Sequence, residues 1–291
     1  MSTKKIEIED IKDPQTLELL KALHILTKEG KINQDSRRKW KQVQHLYQFL
    51  QPALLDLLQT KPNMNLVDHG AGKSYLGFMV YDFFFKDKEQ GHIYGIETRA
   101  PLIQSSLDLQ KKIKFERMSF LNLSVLESMQ SEQIPKEVDL VTALHACDTA
   151  TDDAIKFALH RKAKYVVLIP CCQAEVAQHL RVNKAKRLAN PLAELWRHPI
   201  HTREFASHLT NVLRCLLLEA HGYQVTVTEF VGLEHSMKNE LIIARKIEGP
   251  RFRTFERIQD LLSQTGIDEL KTRFAYSETG LENFEGKSSV N

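Results

Sequence analysis

Asp68, Gly70 and Gly72 fall in the run Asn65-Leu66-Val67-Asp68-His69-Gly70-Ala71-Gly72-Lys73-Ser74-Tyr75-Leu76-Gly77, which reads as a strand, a glycine turn and a helix start. The two glycines let the backbone bend tightly and approach a ligand where a Cβ would clash. Asp68, at a strand's carboxyl end, faces the crevice where open α/β sheets bind ligands, and can accept hydrogen bonds from an amino-acid group or a bridging water. Glu97 ends a second run, Ile93-Tyr94-Gly95-Ile96-Glu97, and an acid there is placed to accept both hydroxyls of a ribose. Together these residues point to an adenosine-bearing ligand; the competing reading is a glycine turn that binds nothing. A phosphate loop is excluded, because GxxxxGK[ST] ending at Gly72-Lys73-Ser74 requires glycine at Val67. A dinucleotide turn wants a third glycine where the chain has Tyr75, which weakens pyrophosphate binding. Beyond a third strand, Met118-Ser119-Phe120 offers an adenine a polar contact and an apolar wall; a surface serine beside a core phenylalanine is the alternative.

The elements that must position these residues follow from periodicity. The first sixty residues read as helical: Leu19, Leu20, Leu23 and Leu26 share one face, and Gly30 closes that helix. Asp35 and Ser36 cap a second helix bearing Trp40, Val43, Tyr47 and Leu50, and Pro52 opens a further turn with Leu54, Leu55 and Leu58. From Asn65 short apolar runs alternate with longer helical segments. The runs cover 65–68, 92–97, 113–118, 138–144 and 165–170, as expected of strands buried on both faces of a parallel sheet. A helix centred on Leu213–Ala220 precedes runs at 223–231 and 239–246, whose seven-residue linker is too short for a crossover helix, so they should pair antiparallel. Helices over 255–262 and 267–274 precede a polar tail that reads as frayed. Five α/β units and a terminal antiparallel hairpin give an α/β, doubly wound, seven-stranded and mostly parallel sheet. That is the layout of class I methyltransferases, whereas a NAD-binding domain finishes with parallel strands. The expected division is a helical extension over 1–60, a catalytic domain over 61–248 with a basic insert at about 174–206, and terminal helices over 249–291.

At the reaction end, the fourth run leads into Leu144-His145-Ala146-Cys147-Asp148-Thr149-Ala150-Thr151-Asp152 and the fifth into Pro170-Cys171-Cys172-Gln173. Adjacent cysteines rarely form an unstrained disulfide, and neither CxxC spacing nor a nearby histidine pair supports zinc, so no metal is expected. With the glycine turn, these motifs resemble a methyltransferase family that includes METTL-type and glutathione-S-transferase-C-domain-containing proteins. They also resemble the catalytic domain of CHHC-type tRNA ribose methyltransferases. The resemblance spans Asp68 to Lys246, including Glu234-His235-Ser236-Met237-Lys238-Asn239. It departs at His69 and at Ser74, where the common pattern has glycine, and no CHHC finger is present. It implies S-adenosyl-L-methionine as cofactor, held by Asp68, Gly70, Gly72, Tyr75 and Glu97, with His145, Ala146 and Cys147 flanking its methionine side. Asp148, Asp152 and the Pro170–Gln173 turn would face the substrate. The sulfonium is already an activated electrophile, so the protein mainly aligns a nucleophile and manages one proton, for which Asp148 or His145 is the candidate base. The alternative is that Asp148–Asp152 simply caps the next helix.

Composition bounds the rest. A net charge of +3 is too mild to argue for nucleic acid by itself. The insert, however, carries Arg181, Lys184, Lys186, Arg187, Arg197 and Arg203 against few acids, a pattern that engages phosphates, and Trp196 is placed to stack on a base. RNA through 181–203 is therefore the expected partner, with a solvated helix face as the alternative. Arg37, Arg38, Lys39 and Lys41 would close the other side of the cleft. No apolar run is long enough to span a bilayer, the start lacks a signal-peptide core, and four cysteines fit a reduced compartment, so a cytoplasmic location is expected. Besides RNA, protein and small-molecule acceptors stay open, as do a catalytically silent interaction module and, more weakly, a nucleotide-dependent oxidoreductase.

Overall fold

The computed structural model describes residues 7–144, 149–170, 174–182, 191–230, 240–247, 249 and 251–274. Helix α1 (Pro14–Ala22) is capped by Asp13, which accepts the Thr16 N–H, and Pro14 takes the first helical position, where a missing N–H costs nothing. It stops at Ala22, well before Gly30; that glycine, at φ +77°, instead closes a turn onto the Thr27 carbonyl. Helix α2 (Gln34–Thr60) is one continuous helix rather than two. Its cap is Asn33, which accepts the Ser36 N–H at 2.8 Å, so neither Asp35 nor Ser36 plays that part. Pro52 sits on the exposed side while Leu50, Ala53, Leu54 and Leu57 are buried. Each buried leucine contributes about 1.5–3 kcal/mol, which together exceed the roughly 3 kcal/mol an interior proline costs.

The sheet then alternates with helices. Strand β1 (Asn65–His69) is followed by α3 (Tyr75–Val80), which continues through a π-helical turn over Tyr81–Phe85. Next come β2 (His92–Ile96), α4 (Ala100–Ile113), β3 (Met118–Leu121), α5 (Val125–Gln130), β4 (Leu140–Ala143), α6 (Thr149–His160) and β5 (Tyr165–Leu168). Helices α7 (Glu175–Val182) and α8 (Pro199–Ala220) lead to β6 (Tyr223–Glu229) and β7 (Glu240–Lys246), and α9 (Phe252–Thr265) and α10 (Lys271–Phe274) follow. The strand order is β3-β2-β1-β4-β5-β7-β6, with β7 antiparallel to both neighbours and every other pairing parallel. This is the class I methyltransferase arrangement that the terminal hairpin foretold. The order reverses between β1 and β4, so the ligand-binding switch point lies beside Asp68.

One strand is displaced from its expected place. Ile113 is the last residue of α4, Lys114 closes that helix at φ +56°, and β3 begins only at Met118. The Gln110 side-chain amide holds the connection by donating to the Phe115 and Met118 carbonyls. A short apolar run such as Ile113–Met118 does not distinguish a helix end from a strand.

Alternation along the strands sends side chains to two cores. Val67, Val141 and Val166 face α6 and α8, where Phe157, Leu213 and Leu217 are buried. Leu66, Ile93 and Leu140 face a cluster shared by Leu19, Leu54 and Phe78, so α1 and α2 belong to the same core as the sheet. Arg214 of α8 is buried and donates to both oxygens of Asp152 of α6, at 2.7 and 3.0 Å.

Candidate active site

The turn after β1 is built as the two glycines require. Gly70 and Gly72 have φ of +63° and +59°, and the Ala71 N–H donates to the Ile96 carbonyl, pinning the loop against β2. Ser74 also adopts a left-handed backbone, at φ +53°, a conformation that glycine takes more readily than serine. Its hydroxyl is buried without a hydrogen-bond partner, and a Cβ built on Gly77 would meet it at 2.5 Å.

Asp68 lies on the α2 side of the sheet, 3% exposed, where the Thr142 hydroxyl donates to it at 2.6 Å. Burial pushes its carboxyl up to about 7, the Thr142 bond countering only part of the effect. His69 points to the opposite face, its ring 4.3 Å from that of Phe157 and both nitrogens buried without partners. Burial holds it neutral, with a pKa lowered to about 3. Glu97 is buried and accepts the Gly72 N–H at 3.0 Å, the Arg99 N–H at 3.0 Å, and the Arg99 guanidinium through both oxygens at 2.9 Å. The Arg99 side chain beside it lowers its pKa to about 2. Glu97 therefore links the glycine turn to the end of β2.

A cavity of about 440 Å³ opens over the carboxyl ends of β1, β4 and β5. Asp68, Gly70, Ala71, Gly72, Lys73 and Arg99 line its polar end, and Tyr75, 37% exposed, stands at its edge. The opposite wall is α2, through Lys39, Gln42, Val43, Leu46 and Tyr47. Of the four cations expected to close the cleft, Lys39 lines it while also pairing with Asp35, Arg37 pairs with Glu9, Arg38 pairs with Asp35, and Lys41 is exposed outside the lining. Phe230, just past β6, and Arg99 also line the cavity, and sequence reasoning named neither; an arginine two residues past the β2 acid was the available signal.

Several expected site residues stand elsewhere. Because β3 starts late, Ser119 falls within it near the amino end, where its hydroxyl meets His92 Nε2 at 2.8 Å. Phe120 is buried against Gly95, where a Cβ would come within 2.7 Å of its ring, and it belongs to the core rather than to the cavity wall. The residue that follows β3 at the ligand edge is Asn122, whose amide donates to the Glu97 and Thr98 carbonyls and so fixes the turn carrying Arg99. Asp152 is committed to Arg214 and does not face a substrate. Trp196 is buried and stacked on Phe205 at 4.8 Å, which removes it as a platform for a base. His145, Ala146, Cys147, Asp148, Cys171, Cys172 and Gln173 lie outside the described residues, as do Lys184, Lys186, Arg187 and the segment Glu234–Asn239. Among the described residues no group of histidine, cysteine and acidic side chains is arranged to hold a metal, and no helix is long and apolar enough to cross a membrane.

Comparison with known proteins bears on this site. No curated protein shows significant similarity to the chain. Among solved structures, a SAM-dependent methyltransferase from Aquifex aeolicus is 16% identical, covering 81% of this chain and 100% of its own, with a TM-score of 0.42. An SAH-bound methyltransferase from Podospora anserina is 14% identical over 82% of this chain and 89% of its own, with a TM-score of 0.43. A precorrin-6y C5,15-methyltransferase from Geobacter metallireducens is 18% identical over 68% and 88%, with a TM-score of 0.41. These likenesses are distant, and the fold assignment stands on the strand order. A family described as a methyltransferase domain matches residues 38–179, which takes in most of α2, the glycine turn and the first five strands, and the strand order is that of the class I methyltransferase fold.

Proposed function

We propose that the protein is an S-adenosyl-L-methionine-dependent methyltransferase acting on an oxygen or nitrogen nucleophile. The observation that carries this reading is the joining of the switch-point turn to Glu97: two left-handed glycines, a buried Asp68 and an acid at the end of β2 converge on one cavity edge. The residues present fit the cofactor. Asp68 has one oxygen engaged by Thr142 and lines the cavity, the glycines leave the loop backbone open to a ligand, and the Glu97–Arg99 pair supplies an acid and a cation where a nucleoside would end. When bound, the cofactor supplies an electrophilic methyl group on a sulfonium.

The chain's own residues do the rest. The glycine turn and Asp68 orient the amino-acid end, and α2 forms the opposite wall. A proton leaving the acceptor falls to His145 or Asp148, which follow Leu144, itself a cavity-lining residue. Exposed Arg181, Arg197 and Arg203 support an RNA acceptor, but Arg197 and Arg203 pair with Glu194 and Glu204, and without Trp196 that reading lacks its stacking platform. Calorimetric titration of the whole chain with S-adenosyl-L-methionine, with NAD and ATP alongside, tests the assignment. Saturable one-to-one binding of the first alone is expected. Failure to bind in a folded sample would favour a silent interaction module.

A further inference from the structure

The cavity has two chemically different ends, and only one suits the cofactor. S-adenosyl-L-methionine has a zwitterionic amino-acid end, a cationic sulfonium and a polar nucleoside, and the turn, Asp68 and the Glu97–Arg99 pair are the residues that would hold it. The end under α2 is walled mostly by hydrocarbon, with Lys39 and Gln42 as its polar side chains beside Tyr47. Val43 and Leu46 come from α2, Leu76, Met79 and Val80 from α3, and Phe230 from the segment after β6. Leu144 and Ile169, past the ends of β4 and β5, form its floor.

Size and polarity restrict the occupant. An apolar cavity of about 150 Å³ holds a benzene ring, so about 440 Å³ leaves space beyond the part of the cofactor that reaches Asp68. A flipped nucleobase would bring its hydrogen-bonding edge against this wall, where the polar side-chain groups are Gln42, the Tyr47 hydroxyl and Lys39, the last already held by Asp35 and the His24 carbonyl. The Tyr47 hydroxyl already lies 3.5 Å from the Phe83 carbonyl. Leaving that edge unpaired costs about 1–3 kcal/mol per group, whereas an aryl or alkyl body loses nothing there. We propose that the α2 chamber binds the acceptor substrate, and that the acceptor is a small, largely apolar molecule bearing one hydroxyl or amine.

This inference rests on the methyltransferase reading, and one experiment separates the two. The whole chain is saturated with S-adenosylhomocysteine in a calorimeter and then titrated with 4-phenylphenol, a planar apolar probe with a single hydroxyl. One-to-one binding is expected, weakened at least about tenfold by Leu46→Trp, which fills the chamber, while S-adenosylhomocysteine affinity stays within about twofold. Val43→Phe is a smaller obstruction that serves if Leu46→Trp does not fold. Cofactor binding without 4-phenylphenol binding overturns the chamber assignment and leaves the methyltransferase reading intact. Equal 4-phenylphenol affinity in the filled variants overturns it as well, as does a single-stranded oligonucleotide that binds more tightly and is displaced by the same substitutions. No cofactor binding to the folded chain overturns both.

Discussion

Replacing Asp68 by asparagine should stabilise the protein at neutral pH while abolishing cofactor binding. Below about pH 3 the carboxyl is protonated folded and unfolded alike, and burial carries no ionic penalty. Between pH 4 and 7 the unfolded chain releases the proton while the folded chain keeps it, because burial lifts the folded pKa from 3.8 to about 7. The folded state then binds more protons than the unfolded state, and stability falls as pH rises through that window. At about 1.4 kcal/mol per pH unit, the full displacement amounts to about 4 kcal/mol; relaxation and water entry reduce this, so about 2–4 kcal/mol is expected. The asparagine side chain of Asp68→Asn retains an acceptor for the Thr142 hydroxyl and carries no ionisation penalty. His69 titrates in the opposite sense: its pKa, lowered to about 3, removes stability as pH falls below 6.5. The informative quantity is therefore the difference between variant and parent at each pH, in which His69 cancels. Differential scanning calorimetry from about pH 3 to 8 should show coincident midpoints at about pH 3 and a gap of roughly 4–8 °C by about pH 8. A gap independent of pH would refute the claim that Asp68 is held protonated, and undiminished S-adenosyl-L-methionine affinity in the variant would remove Asp68 from the site.

Other expectations follow from single contacts. Ser74→Gly relieves a left-handed backbone and deletes an unpartnered buried hydroxyl; set against glycine's greater entropy in the unfolded chain, a gain of about 1–2 kcal/mol is expected in urea unfolding. A loss would mean that the hydroxyl has a role the packing does not reveal. Asp152→Asn leaves the buried Arg214 guanidinium short of its carboxylate and should cost about 3–5 kcal/mol, most of it recovered in Asp152→Leu/Arg214→Met; both are read from chemical denaturation. Charge reversal of Lys184, Lys186 and Arg187 to glutamate tests the RNA alternative: nucleic-acid affinity should be weak and change little if the acceptor is a small molecule, and a loss that tracks salt would restore RNA to the site.

The glycine turn, the acid after β2 and the terminal hairpin were legible because each depends on local chemistry: a backbone only glycine adopts freely, a strand end, a linker too short to cross over. Ser119 and Phe120 were misplaced because sliding the start of β3 from Ile113 to Met118 alters no hydrophobic pattern, only which residue emerges at the ligand edge. Asn122, not Ser119, holds that position. Asp152 and Trp196 were misread for a related reason. An acid or indole on a helix has the same spacing whether it faces a partner or a ligand, and only tertiary contact with Arg214 and Phe205 decides.

The stripe on α2 is the instructive case. Trp40 and Leu50 are buried in the core, while Val43, Leu46 and Tyr47, between them in sequence, are only half-buried and line the cavity. To the sequence they are one apolar face, because a wall and a core demand the same residue types. The structure also dictates how a substrate enters. Swinging α2 outward would expose Leu50, Leu54 and Leu57, each buried at about 1.5–3 kcal/mol, so opening by that route costs upward of roughly 5 kcal/mol. The low-cost opening is at the edge of the cavity, where Tyr75 and Lys73 are exposed beside the glycine turn. Access to the cavity is thus controlled by side chains on the glycine turn, with α2 as a fixed wall.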